Sequence, residues 1–195
     1  MEPLNIAVFV SGHGTNLQAI IDNCANGTCH ARVVAVISNN ENSYALTRAA
    51  QAHIPAHVVN HKDFATREDF DRELLKICQG YDLDLICLAG FLRVLTPIFI
   101  TPYEGRLINI HPSLLPKHKG LHTHKRVLES GDAQHGCTVH IVIPALDEGP
   151  ILVQRAIDVL PNDTEDTLND RVLAEEVIAY TDAINIMAKR IRGVA

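Results

Sequence analysis

Near-continuous apolar runs at residues 4–10, 31–37 and 83–89 limit this chain to a small set of folds. A run without polar alternation reads as a strand covered on both faces, as in a parallel sheet between two helical layers. Between the runs the spacing turns helical. Leu17, Ile20 and Ile21 open one helix, and residues 43–53 read as a second with Ser43 at its cap. Residues 66–79 read as a charged amphipathic third, with Thr66 and Asp69 spaced as a capping box. A short strand is expected at 56–59, and another starts at Leu107 and must stop near His111, because Pro112 cannot continue a central ladder. Strands alternating with helices predict an α/β fold: a doubly wound, mostly parallel sheet, Rossmann-like in its N-terminal half.

The C-terminal third reads differently. Residues 122–130 suggest a short helix, and 137–143 and 151–157 suggest two strands. The connection 144–150 is too short for a helical crossover, so these two form an antiparallel hairpin. A long final helix is expected over 164–192, capped by Asp163 or Thr164, with Leu168, Val172, Val177 and Ile184 on its apolar face. With 195 residues, 47% of them hydrophobic, the chain reads as one domain over 1–195 with a full core.

Charge and cysteine use narrow the partners. The net charge is −6 and no block of Lys or Arg occurs, which argues against nucleic acid and anionic membranes. No charged leader precedes the first strand, and no apolar run is long enough to span a bilayer. Cys24, Cys29, Cys78, Cys87 and Cys137 are scattered and odd in number. Cys87 and Cys137 read as small buried hydrophobes, so a reducing, cytoplasmic setting is expected.

Three features carry chemistry. Ser11-Gly12-His13-Gly14-Thr15-Asn16 joins the first strand to the first helix. Glycines there let the backbone come close to an anion that the free N–H groups of a helix start can hold, with Thr15 or Asn16 as cap. A nicotinamide turn fits poorly, since Leu17 stands where the third glycine belongs and Ser38-Asn39-Asn40 offers no ribose-binding acid. Asn109 and His111 lie two apart on a strand, so both side chains point to one face at its end. An amide there can donate to a developing oxyanion, and an imidazole can move a proton near neutral pH. Asp147 sits in the hairpin connection. Segments 12–16, 90–95 and 109–111 all follow strand ends, where ligands of doubly wound sheets sit, so they should line one crevice.

These stretches resemble the phosphoribosylglycinamide formyltransferases, within the folate-dependent formyltransferase superfamily. The resemblance rests on S-G-H-G-T-N-L-Q-A from Ser11, A-G-F-L-R from Ala89 and G-R-L-I-N-I-H-P-S-L-L-P from Gly105. It continues in G-L-H-T-H from Gly120 and L-D-E-G-P-I from Leu146. Two departures stand out: Glu148 replaces a glycine of the family's D-G-G-P, and His118-Lys119 stands where Tyr-Pro is usual.

The resemblance implies transfer of a formyl group from 10-formyltetrahydrofolate to the amine of 5'-phosphoribosylglycinamide, in purine biosynthesis. Catalysis would fall to Asn109, His111 and Asp147, with the Asp147 carboxylate balancing an imidazolium at His111. Gly14, Thr15, Asn16 and Glu176 would hold the nucleotide. Arg67, Leu92, Arg93, Val94, Leu95, Ile143, Asn109 and Asp147 would contact the folate. Residues 1–110 would form the nucleotide-binding half, and 111–195 the catalytic and folate-binding half. No metal is implied, and His122-x-His124 is read as packing. The partners would be small molecules, with the chain a monomer or homodimer. Glu148 would add negative potential beside Asp147.

Overall fold

The computed structural model describes residues 2–194. Seven strands form one sheet: β1 (Leu4–Val10), β2 (Ala31–Ser38), β3 (Ala56–Val58), β4 (Leu85–Leu88), β5 (Leu107–His111), β6 (Gln134–Ile141) and β7 (Ile151–Asp158). Their spatial order is β3-β2-β1-β4-β5-β6-β7. The first five pair in parallel, while β6 runs antiparallel to both β5 and β7. The helices are α1 (Thr15–Ala25), α2 (Tyr44–Gln51), α3 (Arg67–Gln79), α4 (Pro97–Ile100), α5 (Thr123–Ser130) and α6 (Glu165–Arg192).

The continuous apolar character of β1 has a direct cause. Leu4, Ile6, Val8 and Val10 point to one face, against Leu17 and Ile20 of α1, Ala45 of α2 and Ile184 of α6. Ala7 and Phe9 point to the other, against Phe70 and Leu74 of α3 and Phe99 of α4. Both faces of a central strand are therefore dry. Cys87 and Cys137 are fully buried. Tyr180, also buried, donates from its hydroxyl to the Leu88 carbonyl at 2.8 Å and so pins the middle of α6 to the end of β4.

Element ends differ from expectation for local reasons. Strand β6 starts at Gln134 and stops at Ile141, not 137–143: Gln134, His135 and Gly136 pair with β7, and past Ile141 only the Val142 N–H still reaches β5, at the Leu107 carbonyl. Gly149 fits against the end of β6 so closely that a Cβ there would lie 1.6 Å from the Ile141 carbonyl oxygen. Helix α1 is capped by Gly14 in the left-handed region (φ 75°), with no side-chain bond, instead of by Thr15 or Asn16. Ser43 does precede α2, but its hydroxyl donates to the Gly12 carbonyl at 2.6 Å instead of capping. The Thr66 hydroxyl accepts from Asp69 N–H as expected of a cap, worth about 1 kcal/mol. The short α4 was not signalled, since four residues give no periodicity to read.

Candidate active site

The turn after β5 is held from below. Thr138, opposite His111 on β6, donates from its hydroxyl to the Ser113 carbonyl at 2.7 Å and accepts from Leu115 N–H at 3.1 Å. Gln154 on β7 donates to the Leu115 carbonyl at 2.9 Å. Two neighbouring strands thus fix where His111 leaves the sheet.

His111 and Asp147 meet across the crevice. The Asp147 Oδ2 lies 3.6 Å from His111 Nδ1 and accepts from Gly120 N–H at 2.9 Å. Asp147 is 9% exposed and holds φ 53°, a region that Asp tolerates better than most residues. On the far side of the imidazole, Nε2 donates to the His118 carbonyl at 2.9 Å. A carboxylate on one nitrogen and a carbonyl on the other set the ring's orientation from both ends.

Asn109 has a partner that the sequence did not signal. His140 sits directly opposite it on β6. The His140 Nδ1 lies 3.0 Å from the Ile141 carbonyl, which can only accept, so the proton is on Nδ1. Burial holds His140 below the ordinary histidine range, in keeping with a neutral ring. Nε2 is then an acceptor, and Asn109 Nδ2 donates to it at 3.3 Å. That bond settles which way the amide points: its nitrogen faces His140, and one N–H remains for the crevice. Only the register of β5 against β6 creates this pair, which is why it is invisible in a linear reading.

At the other end of the crevice, Asn16 Nδ2 donates to Glu176 Oε2 at 2.7 Å. Both residues are 8% exposed. Burial pushes the Glu176 carboxyl up, against the lowering effect of the Asn16 bond. Asn16 Oδ1 is buried with no partner. Of the glycine turn, Asn16 alone lines the main cavity; Gly14 and Thr15 stand just outside it at the start of α1.

That cavity has a volume of about 500 Å³, enough for a drug-sized ligand. Asn109, His111 and Asp147 form its floor, and segments 90–95 and 143–146 form its walls. Leu92, Val94 and Leu146 are exposed at its rim, an unusual cluster of open apolar surface. The wall at 90–95 is tied to its neighbours. Leu92 N–H donates to the Ser11 hydroxyl at 2.8 Å, and Thr96 N–H donates to Asp71 Oδ2 at 2.6 Å. Asp71 is fully buried on α3, and burial pushes its carboxyl up. Arg67 does not line this cavity. It borders a smaller polar one of about 210 Å³, which shares Arg93 and Val94 with the first.

The two departures from the family pattern face one another. Lys119 Nζ lies 2.7 Å from Glu148 Oε1, joining the 117–122 loop to the hairpin connection. The negative charge expected beside Asp147 is therefore matched by a cation. His118 turns away to Asp132, 2.7 Å from its Nε2. His124 bonds His135 at 3.0 Å and not a partner at His122. Among the described residues no cluster of three or more His, Cys, Asp or Glu side chains is set to hold a metal. Nor, among them, is any helix long and apolar enough to cross a membrane.

Comparison with known proteins gives the family and the fold. The family model described as formyl transferase matches residues 4–184. Phosphoribosylglycinamide formyltransferase of Escherichia coli (strain K12) is 46% identical over 95% of this chain and 87% of its own. The trifunctional purine biosynthetic protein adenosine-3 of Drosophila melanogaster is 50% identical over 93% of this chain, which spans only 14% of that longer protein. The crystal structure of glycinamide ribonucleotide transformylase 1 from Symbiobacterium toebii superposes with a TM-score of 0.95 at 42% identity, covering 97% of this chain and 89% of that one. This chain belongs to the formyl transferase family, among the phosphoribosylglycinamide formyltransferases.

Proposed function

We propose that this chain transfers the formyl group of 10-formyltetrahydrofolate to the primary amine of 5'-phosphoribosylglycinamide, a step of purine biosynthesis. The observation that carries the reading is the meeting of Asn109, His111 and Asp147 on the floor of one cavity. That cavity ends at the glycine turn on one side and opens at an apolar rim on the other. The nucleotide's phosphate would lie on the N–H groups of Gly14, Thr15 and Asn16, and its ribose would reach Glu176 and the unpartnered Asn16 Oδ1. The folate would lie along Leu92, Arg93, Val94, Leu95 and Ile143, with Arg67 and Arg93 in the adjoining polar cavity for its carboxylates. Residues 1–110 would then serve chiefly the nucleotide, and 111–195 catalysis and the folate.

The folate supplies the formyl carbon that the amine attacks. The free N–H of Asn109 donates to the formyl oxygen, where negative charge collects. His111 gives a proton to the departing folate nitrogen and takes back the one that the attacking amine loses, and either transfer at Nε2 requires release of the His118 carbonyl. Asp147 stays opposite Nδ1 and stabilises the ring while it carries charge. The test is an assay with purified chain and both substrates, following folate deformylation and formylated product. Deformylation that proceeds equally without the amine would identify a hydrolase instead.

Two substitutions examine the nucleotide end. A Cβ at Gly14 would lie 2.7 Å from the Ala45 Cβ, and φ there is already 75°. Gly14→Val should raise the nucleotide KM by roughly tenfold or more and leave the folate KM nearly unchanged. Equal effects on both substrates would remove the phosphate from this turn.

Glu176→Gln keeps an acceptor for Asn16 and removes the buried charge. The wild-type carboxyl has a raised pKa in the fold, so the folded chain holds a proton that the unfolded chain has lost. That contribution is complete below the unfolded value of about 4.3 and disappears as pH rises through the folded one. The variant should match wild type in Tm near pH 4 and exceed it increasingly towards neutrality, while its nucleotide KM rises. Parallel Tm curves would show that Glu176 is not strained by burial.

A further inference from the structure

Asp147 is held between two loops, and the next residue outward on each loop carries a charge. Gly120 N–H donates to Asp147 Oδ2 at 2.9 Å, and beside that bond Lys119 Nζ donates to Glu148 Oε1 at 2.7 Å. Both Lys119 and Glu148 are departures from the family's pattern. Lys119 is anchored a second way, since Arg126 Nη1 on α5 donates to its carbonyl at 2.6 Å. Asp147 itself holds φ 53°, a backbone conformation that persists only where its surroundings impose it.

Taken alone, the ion pair is a weak feature. The two side chains are 35% and 53% exposed, and pairs so open to water add little to folding stability. Its place in the loop gives it another use. The His118 carbonyl accepts from His111 Nε2 at 2.9 Å and must let go before a proton can pass at that nitrogen. Gly120, two residues on, must stay where it is if Asp147 is to keep facing His111 Nδ1, 3.6 Å away. Lys119 lies between the peptide that has to move and the one that has to stay.

We infer that Lys119 and Glu148 are positioning residues for Asp147. Their ion pair straps the 117–122 loop to the hairpin connection, so that Asp147 keeps its aim at His111 while the His118 carbonyl is released. This role rests on the catalytic part proposed for Asp147, but the strap can be measured without turnover. The variants are Lys119→Ala, Glu148→Ala, the two together, and the exchanged pair Lys119→Glu with Glu148→Lys.

Each single variant should lower kcat by about threefold, within the range of an exposed ion pair, and leave the nucleotide KM unchanged. The double alanine variant should be no slower than either single one, and the exchanged pair should recover most of the loss. Salt at about 0.5 M should bring wild type down towards the single variants while moving those variants little. Amide exchange at Gly120, followed by NMR, should speed up by about threefold in each single variant and slow again in the exchanged pair.

A positioning effect has the same sign whichever charge is removed. If Lys119→Ala and Glu148→Ala move kcat in opposite directions, the charges act on His111 through space and the strap is overturned. It is overturned as well if both variants are faster than wild type, which would make the pair a latch that hinders release, or if the exchanged pair fails to recover. Unchanged exchange at Gly120 in the single variants would overturn it whatever the turnover. Absence of formyl transfer by wild type would instead overturn the proposed function, and Gly120 exchange would still decide whether the strap exists.

Discussion

Replacing His111 and Asp147 together should cost little more activity than replacing either alone. Each single alanine variant is expected to lower kcat/KM by roughly 10³-fold or more, and the double variant to fall close to the poorer single one. The reason is geometric. Asp147 Oδ2 stands 3.6 Å from His111 Nδ1, and both residues are buried, so the carboxylate acts largely through the ring it faces. Without the ring, that charge faces only His140, whose Nε2 lies 3.8 Å from Asp147 Oδ1 and whose buried ring is held neutral. The fold should survive, because both side chains sit at element ends and neither belongs to the two apolar clusters.

One complication has its own control. Asp147→Ala also deprives Gly120 N–H of its acceptor and loosens the 117–122 loop. Asp147→Asn retains an acceptor for Gly120 and removes only the charge. If Asp147→Asn is as damaging as Asp147→Ala, the charge opposite His111 is what matters. If it keeps near-normal activity, the carboxylate serves the loop. Losses that multiply independently in the double variant would break the coupling altogether.

Much of this site was legible from residue order, and the boundary of legibility is physical. The run 4–10 demanded a strand dry on both faces, and Leu4 to Val10 divides its side chains between two helical layers. The two-residue spacing of Asn109 and His111 put them on one face, and Pro112 marked where the strand stops. Asp147 was placed by the resemblance, and its approach to His111 required the hairpin to fold back along β5. His140 escaped notice because a histidine in an apolar strand has no local signature, and its meaning comes from lying opposite Asn109. Gly14 is the cap, and not Thr15 or Asn16, because the helix already begins at Thr15, and inside it the Asn16 side chain reaches Glu176 on α6. Lys119 and Glu148 each looked like an isolated departure, and only the approach of two loops makes them one ion pair. Arg67 belongs to an adjoining cavity because α3 begins beyond the rim of the main one.

Asn109→Ala is expected to lower kcat by roughly 10²–10³-fold with a much smaller change in either KM. The distinction between the two parameters is the point. A donor used equally by bound substrate and transition state lowers KM, whereas one that meets charge only as the amine adds raises kcat. Asn109 is suited to the second task because its amide cannot turn freely. One N–H is committed to His140 Nε2, and His140 is itself held by the Ile141 carbonyl, so the second N–H is aimed before substrate arrives. A donor already in place costs no reorganisation at the moment of reaction. The same chain of bonds supplies a second reading of the result. His140→Phe keeps much of the ring's bulk and removes the acceptor, freeing the amide to flip its oxygen towards the substrate. That variant should reproduce part of the kcat loss of Asn109→Ala, and adding it to Asn109→Ala should cost little further. If Asn109→Ala raises only KM, the amide binds substrate and does not stabilise the oxyanion. If His140→Phe is silent while Asn109→Ala is not, the amide's aim is set by something other than the strand opposite it.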